Sequence, residues 1–101
     1  MIIFVDIDDT ICYYPENIDN KDYNNAQPYL DRIKKINDLY NNGNTIIYWT
    51  ARGTVTGINW FHITYNQLKS WGCLFTELRM NKPNYDLFID DKNINSNSYF
   101  K

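Results

Sequence analysis

The acids Asp6, Asp8 and Asp9, within Asp6-Ile7-Asp8-Asp9-Thr10, stand directly after the apolar run Ile2 to Val5. Alternate side chains of an extended segment face the same way, so Asp6 and Asp8 can share one site while Ile7 packs into the core. Asp90 and Asp91 end a second expected strand, Tyr85 to Ile89. Carboxylates crowded at one edge are costly unless a cation neutralises them or one stays protonated. A hard divalent ion with oxygen ligands, Mg²⁺ before Ca²⁺, suits such a cluster. The spacing of Asp6 and Asp8 alone is common in loops; strand-terminal acids from two separate strands are a much more specific signal. Thr50-Ala51-Arg52-Gly53 closes a third expected strand, Thr45 to Trp49. A hydroxyl beside successive backbone N–H groups in a tight turn is an anion-binding nest suited to phosphate oxygens. A plain turn opening a helix has the same wording. Lys82, just before Pro83, offers a cation near the same edge.

The elements that must position these groups follow from periodicity. Ile2 to Val5 is a short, wholly apolar run, the pattern of a strand buried on both faces, and Thr45 to Trp49 reads as a second buried strand. Tyr29, Leu30, Ile33, Ile36, Leu39 and Tyr40 recur at three and four, predicting a helix over 29–41 that stops at Gly43. A second helix is expected over 59–71, closed by Gly72, with further strands at 73–75 and 85–89. Residues 11–28 have no clean period and contain Pro15 and Pro28, so they read as an irregular, flap-like insertion. Strand, helix, strand, helix, strand, loop, strand is the alternation of an α/β domain with a parallel sheet. Ligands of such sheets sit outside the carboxyl ends of the strands, where Asp6, Asp8, Thr50, Asp90 and Asp91 would stand.

Composition narrows the partners. With 101 residues the chain supplies one core, over 1–101, and no second domain. Its net charge of −2 gives no basic excess, which argues against nucleic acid. No apolar run reaches the ~18 residues of a membrane span, and the acids after Val5 exclude a signal peptide. Two cysteines, Cys12 and Cys73, and no export signal point to the cytoplasm. Those two and the single His62 cannot build a zinc site. Aromatic residues are 17% of the chain, more large rings than one small core hides, so a homo-oligomer (dimer or tetramer) is expected. The tail Tyr99-Phe100 is expected to dock across a neighbouring copy.

Taken together these residues resemble the haloacid dehalogenase superfamily, whose members are mostly phosphatases. The likeness consists of Val5-Asp6-Ile7-Asp8-Asp9-Thr10, then Ile47-Tyr48-Trp49-Thr50 with Ala51 and Arg52, then Lys82, then Phe88-Ile89-Asp90-Asp91. The wording Tyr48-Trp49-Thr50-Ala51-Arg52 and Asn81-Lys82-Pro83 is similar to short capless members found in capsular-polysaccharide biosynthesis loci. The resemblance implies a three-layer Rossmann-like core, strand order 3-2-1-4, helices on both faces and no cap. It implies that Asp6 is a nucleophile forming an aspartyl-phosphate and that Asp8 serves as general acid and base. Mg²⁺ would be held by Asp6, the Asp8 carbonyl and Asp90, with Asp91 as ligand or neighbour. Thr50, Ala51, Arg52 and Lys82 would bind the transferring phosphoryl group. One departure is Asp9, where the family commonly has glycine.

The implied activity is hydrolysis of a small phosphorylated metabolite such as a sugar phosphate. Without a cap the site is open, and Thr10, Tyr13, Tyr14, Tyr23 and Arg52 are candidate contacts for the leaving group. The alternatives are a phosphatase of polynucleotide ends and a non-catalytic phosphate-binding protein. Retention of Asp8 beside Asp6 argues against a pure binder.

Overall fold

The computed structural model describes residues 1–15 and 22–101; residues 16–21 of the expected insertion lie outside the described residues. In chain order the elements are β1 (Ile2–Val5), β2 (Cys12–Tyr13), β3 (Gln27–Pro28), α1 (Leu30–Asn41), β4 (Thr45–Trp49), α2 (Phe61–Ser70), β5 (Glu77–Arg79) and α3 (Ser96–Tyr99). The chain is an α/β fold on a small parallel sheet in the order β1-β4-β5. Ile2 pairs with Thr45 and Val5 with Tyr48; Ile47 pairs with Glu77 and Trp49 with Arg79. β4 is therefore the middle strand, which suits its buried Ile46-Ile47-Tyr48 centre. All three strands run the same way, so Asp6, Thr50 and the residues after Arg79 leave the sheet at one edge.

One cluster forms the core: Val5, Ile7, Ile11, Ile33, Ile36, Ile46, Tyr48, Leu68 and Leu78. Ile33 and Ile36 come from α1 and Leu68 from α2, so both helices close on the face carrying Val5, Ile46, Tyr48 and Leu78. α1 ends as expected: Gly43 has φ +91°, and the Asn44 side chain and backbone amides both bond the Leu39 carbonyl. Ile7 is fully buried, as alternation required.

Several expectations are corrected. The third strand starts later than 73–75, because the amides there have other work. The Cys73 N–H closes α2 on the Leu68 carbonyl and the Leu74 N–H bonds the Asn37 side chain, so pairing with β4 opens only at Thr76. Residues 85–89 form no strand; Tyr85 packs on Phe88 at 5.2 Å, and Leu87 and Ile89 are 75% and 88% exposed. β1 is not buried on both faces: Ile2 and Phe4 stay exposed, Phe4 lying edge-on to Trp49 under the Arg79 guanidinium. Two layers rather than three are thus built among the described residues. Within the irregular insertion, β2 and β3 make a short antiparallel pair. The tail folds onto its own chain: Lys35 donates to the Tyr99 carbonyl, and Arg32 lies 5.0 Å from the Phe100 ring. Among the described residues no helix is long and apolar enough to cross a membrane.

Candidate active site

β1 delivers Asp6 to the sheet edge, and the chain turns at once. The Thr10 and Ile11 amides both bond the Ile7 carbonyl, and the Asp9 amide bonds the Cys12 carbonyl. Asp9 takes φ +62°, the left-handed region that glycine enters at low cost and Asp more readily than most side chains. This turn points Asp6 and Asp8 out of the sheet while Ile7 anchors it.

Next to it, β4 hands over to Thr50, whose amide bonds the Arg79 carbonyl and whose carbonyl accepts from the Lys82 amide. That second bond sets Lys82 beside Asp6, with Nζ 3.5 Å from Oδ1. Thr10 donates its hydroxyl to the other Asp6 oxygen at 3.4 Å. Burial pushes the Asp6 carboxyl up, against the opposing pull of Lys82 and the Ile7 amide, and the net shift is upward.

Asp8 lives in a different environment. Arg52 grips it with two bonds, Nε to Oδ2 at 3.0 Å and Nη2 to Oδ1 at 2.8 Å. The Tyr14 hydroxyl donates to Oδ1 at 2.6 Å. Burial alone would raise the Asp8 carboxyl, but the bonds and charge of Arg52, helped by Tyr14 and Cys12, outweigh it and hold it low. Arg52 is itself 2% exposed; its Nη1 donates to Thr64 and Gln67 on α2, and its guanidinium lies 4.7 Å from the Tyr23 ring. Two neighbouring carboxylates are thereby pushed in opposite directions.

The sequence expectations fare unevenly at this edge. Asp6, Asp8, Thr10, Thr50 and Lys82 are brought together. Arg52 reaches the site as the partner of Asp8, and its buried head is not available as a contact for phosphate or leaving group. The anion nest is partly spent: the Thr50 amide bonds Arg79, and the Arg52 amide bonds the Thr50 hydroxyl at 3.1 Å. Tyr13 packs on Tyr29 at 4.8 Å, away from the cavity, whereas Tyr23 lines it. Asp90 and Asp91 are exposed and interact with each other rather than with Asp6, the bond between them lowering Asp90 and raising Asp91. Among the described residues no three acids, histidines or cysteines converge as a metal cage. Of the expected Mg²⁺ ligands, Asp6 stands beside Lys82 and Thr10, both Asp8 oxygens are taken by Arg52, and Asp90 and Asp91 are not brought to Asp6 in this arrangement.

A cavity of about 430 Å³ opens over Asp6, Asp8 and Thr50. Its walls include Val55, Thr56, Ile58, Trp60 and Asn84, which sequence reasoning did not place at the site. The signal was available in Gly53 and Gly57, which bracket a tight loop immediately after the phosphate-type turn.

Fold and site thus define a small α/β domain with paired, oppositely tuned aspartates at the carboxyl edge of a parallel sheet. No known family profile matches the chain, and no curated protein matches it. It is similar to the crystal structure of an MCSG target from Vibrio cholerae, with a TM-score of 0.83 and 24% identity over 98% of this chain and 86% of that one. That likeness concerns the fold.

Proposed function

We propose that the chain is a phosphomonoester hydrolase of the haloacid dehalogenase type, working through an aspartyl-phosphate on Asp6. The observation that carries the reading is the placement of half-buried Asp6 at the end of β1 beside the Lys82 ammonium, with Asp8 and Thr50 lining the same cavity. An Asp6 oxygen attacks phosphorus and the bond from phosphorus to the ester oxygen breaks. Lys82 and the Thr50 turn meet the charge of the transferring group. Asp8 hands a proton to the departing oxygen only from its protonated form; Arg52 and Tyr14 favour its ionised form, in which it takes a proton from the water that cleaves the acyl phosphate and frees Asp6. The substrate is a small phosphorylated metabolite, of which a sugar phosphate is one instance.

The proposed core goes further than the sheet described above. Pairing of Tyr85–Ile89 with the outer edge of β1 would give the order 3-2-1-4, cover that edge, and carry Asp90 and Asp91 toward Asp6. The open edge of β1 and the exposure of Leu87 and Ile89 support it. Mg²⁺ enters the proposal through that arrangement, and the steps above rest on the chain's own residues.

The test is turnover of a panel of phosphomonoesters by the wild-type chain and by Asp6→Asn, with and without Mg²⁺. Release of phosphate by the wild type and its loss in Asp6→Asn supports the reading. Activity of Asp6→Asn within tenfold of wild type would refute the nucleophile.

A further inference from the structure

The wall of the cavity has a chemistry of its own. Among the described residues that line it only Asp6, Asp8 and Arg52 are charged, and Arg52 is spent on Asp8. The outer part is Tyr23, Val55, Ile58 and Trp60, with Thr56 and Asn84 as neutral polar neighbours. Val55 and Ile58 hold 75% and 55% of their surface in water, an unfavourable display immediately beside a polar floor.

This wall is built rather than incidental. Gly53 has φ +80°, and a Cβ there would overlap the Ile58 carbonyl oxygen and lie 3.1 Å from Trp60 Cδ1. The loop therefore closes directly onto the turn after β4. Thr54 donates its hydroxyl to the Lys82 carbonyl at 2.8 Å, and the Gly57 amide bonds the Gly53 carbonyl at 2.8 Å. Trp60 meets Tyr23 edge to face at 4.9 Å, and Gln67 fixes the Tyr23 carbonyl from α2. Both aromatic rings are thus held against the turn that carries Thr50.

We infer that the cavity contains, beside the phosphoryl position, a subsite for an uncharged ring, so that its ligands are monophosphates or phosphonates of a glycosyl or aryl ring. The inference rests on the phosphoryl site proposed above and adds what stands next to it. Apolar walls with a few polar groups are the usual lining of a small-ligand site, and about 430 Å³ accommodates a phosphoryl group with one ring. A linear alkyl chain would leave the rings of Tyr23 and Trp60 uncovered. A polynucleotide end or a second phosphate would need free lysines or arginines that the rim does not offer among the described residues.

Binding of non-hydrolysable probes separates this from the catalytic reading. Phenylphosphonate, a C-glycosyl phosphonate and propylphosphonate are titrated calorimetrically into the full chain. One ring face removed from water is worth about tenfold in affinity, so at least one ring probe should bind about tenfold tighter than propylphosphonate. The tighter of the two identifies the ring as aryl or glycosyl. Trp60→Ala should abolish the preference without weakening propylphosphonate. Val55→Ser, at an exposed position with little risk to folding, should cut it about threefold. Equal affinity for all three probes, or no binding of any, overturns the subsite. Ring-selective binding by a chain that hydrolyses no ester leaves the subsite standing and refutes the hydrolase.

Discussion

Replacing Arg52 by methionine should be among the most damaging single changes in this chain. The Arg52 side chain is wholly buried and that of Asp8 is 24% exposed, joined by two bonds of 3.0 and 2.8 Å. Methionine fills much of the space but leaves the Asp8 carboxylate with Tyr14 and Cys12 alone, and leaves Thr64 and Gln67 without their donor. Breaking a buried pair by removing one partner costs about 3–5 kcal/mol, and the partial exposure of Asp8 places this case near about 3. A domain of this size is stable by about 5–15 kcal/mol, and each kcal/mol moves its melting temperature by about 4–8 °C. The expected loss is about 12–24 °C at neutral pH, read by circular dichroism or calorimetry. Asp8→Asn in the Arg52→Met background should recover much of it, because the stranded charge is gone. The pH dependence has a definite sign. Asp8 is held low in the folded state, so its stabilisation is present above the ordinary carboxylate range and is lost as pH falls through the folded value. In Arg52→Met burial acts without Arg52, so the gap to wild type should be widest near neutrality and close below about pH 4. A loss under about 1 kcal/mol at pH 7, or a gap that widens in acid, would defeat the reasoning, since both contradict a buried pair.

Asp6→Asn should fold at least as well as wild type at pH 7 while losing turnover. The folded-state carboxyl of Asp6 is pushed up, so its stability contribution is present at low pH and lost as pH rises through the folded value. A large drop in melting temperature would show that the Lys82 contact outweighs burial. Gly53→Ala should cost about 1–3 kcal/mol or more, and should open the cavity wall, because it strains a φ of +80° and displaces the Ile58 carbonyl; an unchanged melting temperature would contradict the close approach. Millimolar Mg²⁺ should raise the melting temperature and chelator should abolish turnover, as expected for an ion that binds only the native state. Insensitivity of both would remove Mg²⁺ from the proposal. Light scattering should give a mass above 12.1 kDa, because Ile2 and Phe4 leave apolar surface exposed on the sheet face that the helices do not cover; a single-chain mass unchanged on dilution would sink the oligomer.

What could be read from the residues and what could not divides along the range of the interactions. β1, α1 and β4 were legible because their signals are local: unbroken apolar runs and a three-four repeat stopped by Gly43. The third strand was misplaced by a few residues because its start depends on Asn37, a residue 37 positions earlier whose side chain claims the Leu74 amide. Arg52 shows the same limit inside the site. Its position after Thr50 suggests an outward cation, yet Asp8, 44 residues before it, and Gln67, 15 after it, turn the guanidinium inward. A positive side chain beside a carboxylate pair can neutralise a ligand or one of the carboxylates, and wording alone does not choose between them. The choice has a consequence for chemistry. Once Arg52 belongs to Asp8, the cation that among the described residues stands beside Asp6 to meet the phosphoryl group of the proposed reaction is Lys82, held in place by the bond from its own amide to the Thr50 carbonyl. In the proposed hydrolase Asp6, Thr50 and Lys82 would then be the reacting set, Asp8 with Arg52 the proton-handling set, and the neutral wall of Val55, Ile58 and Trp60 would be left for the group that departs.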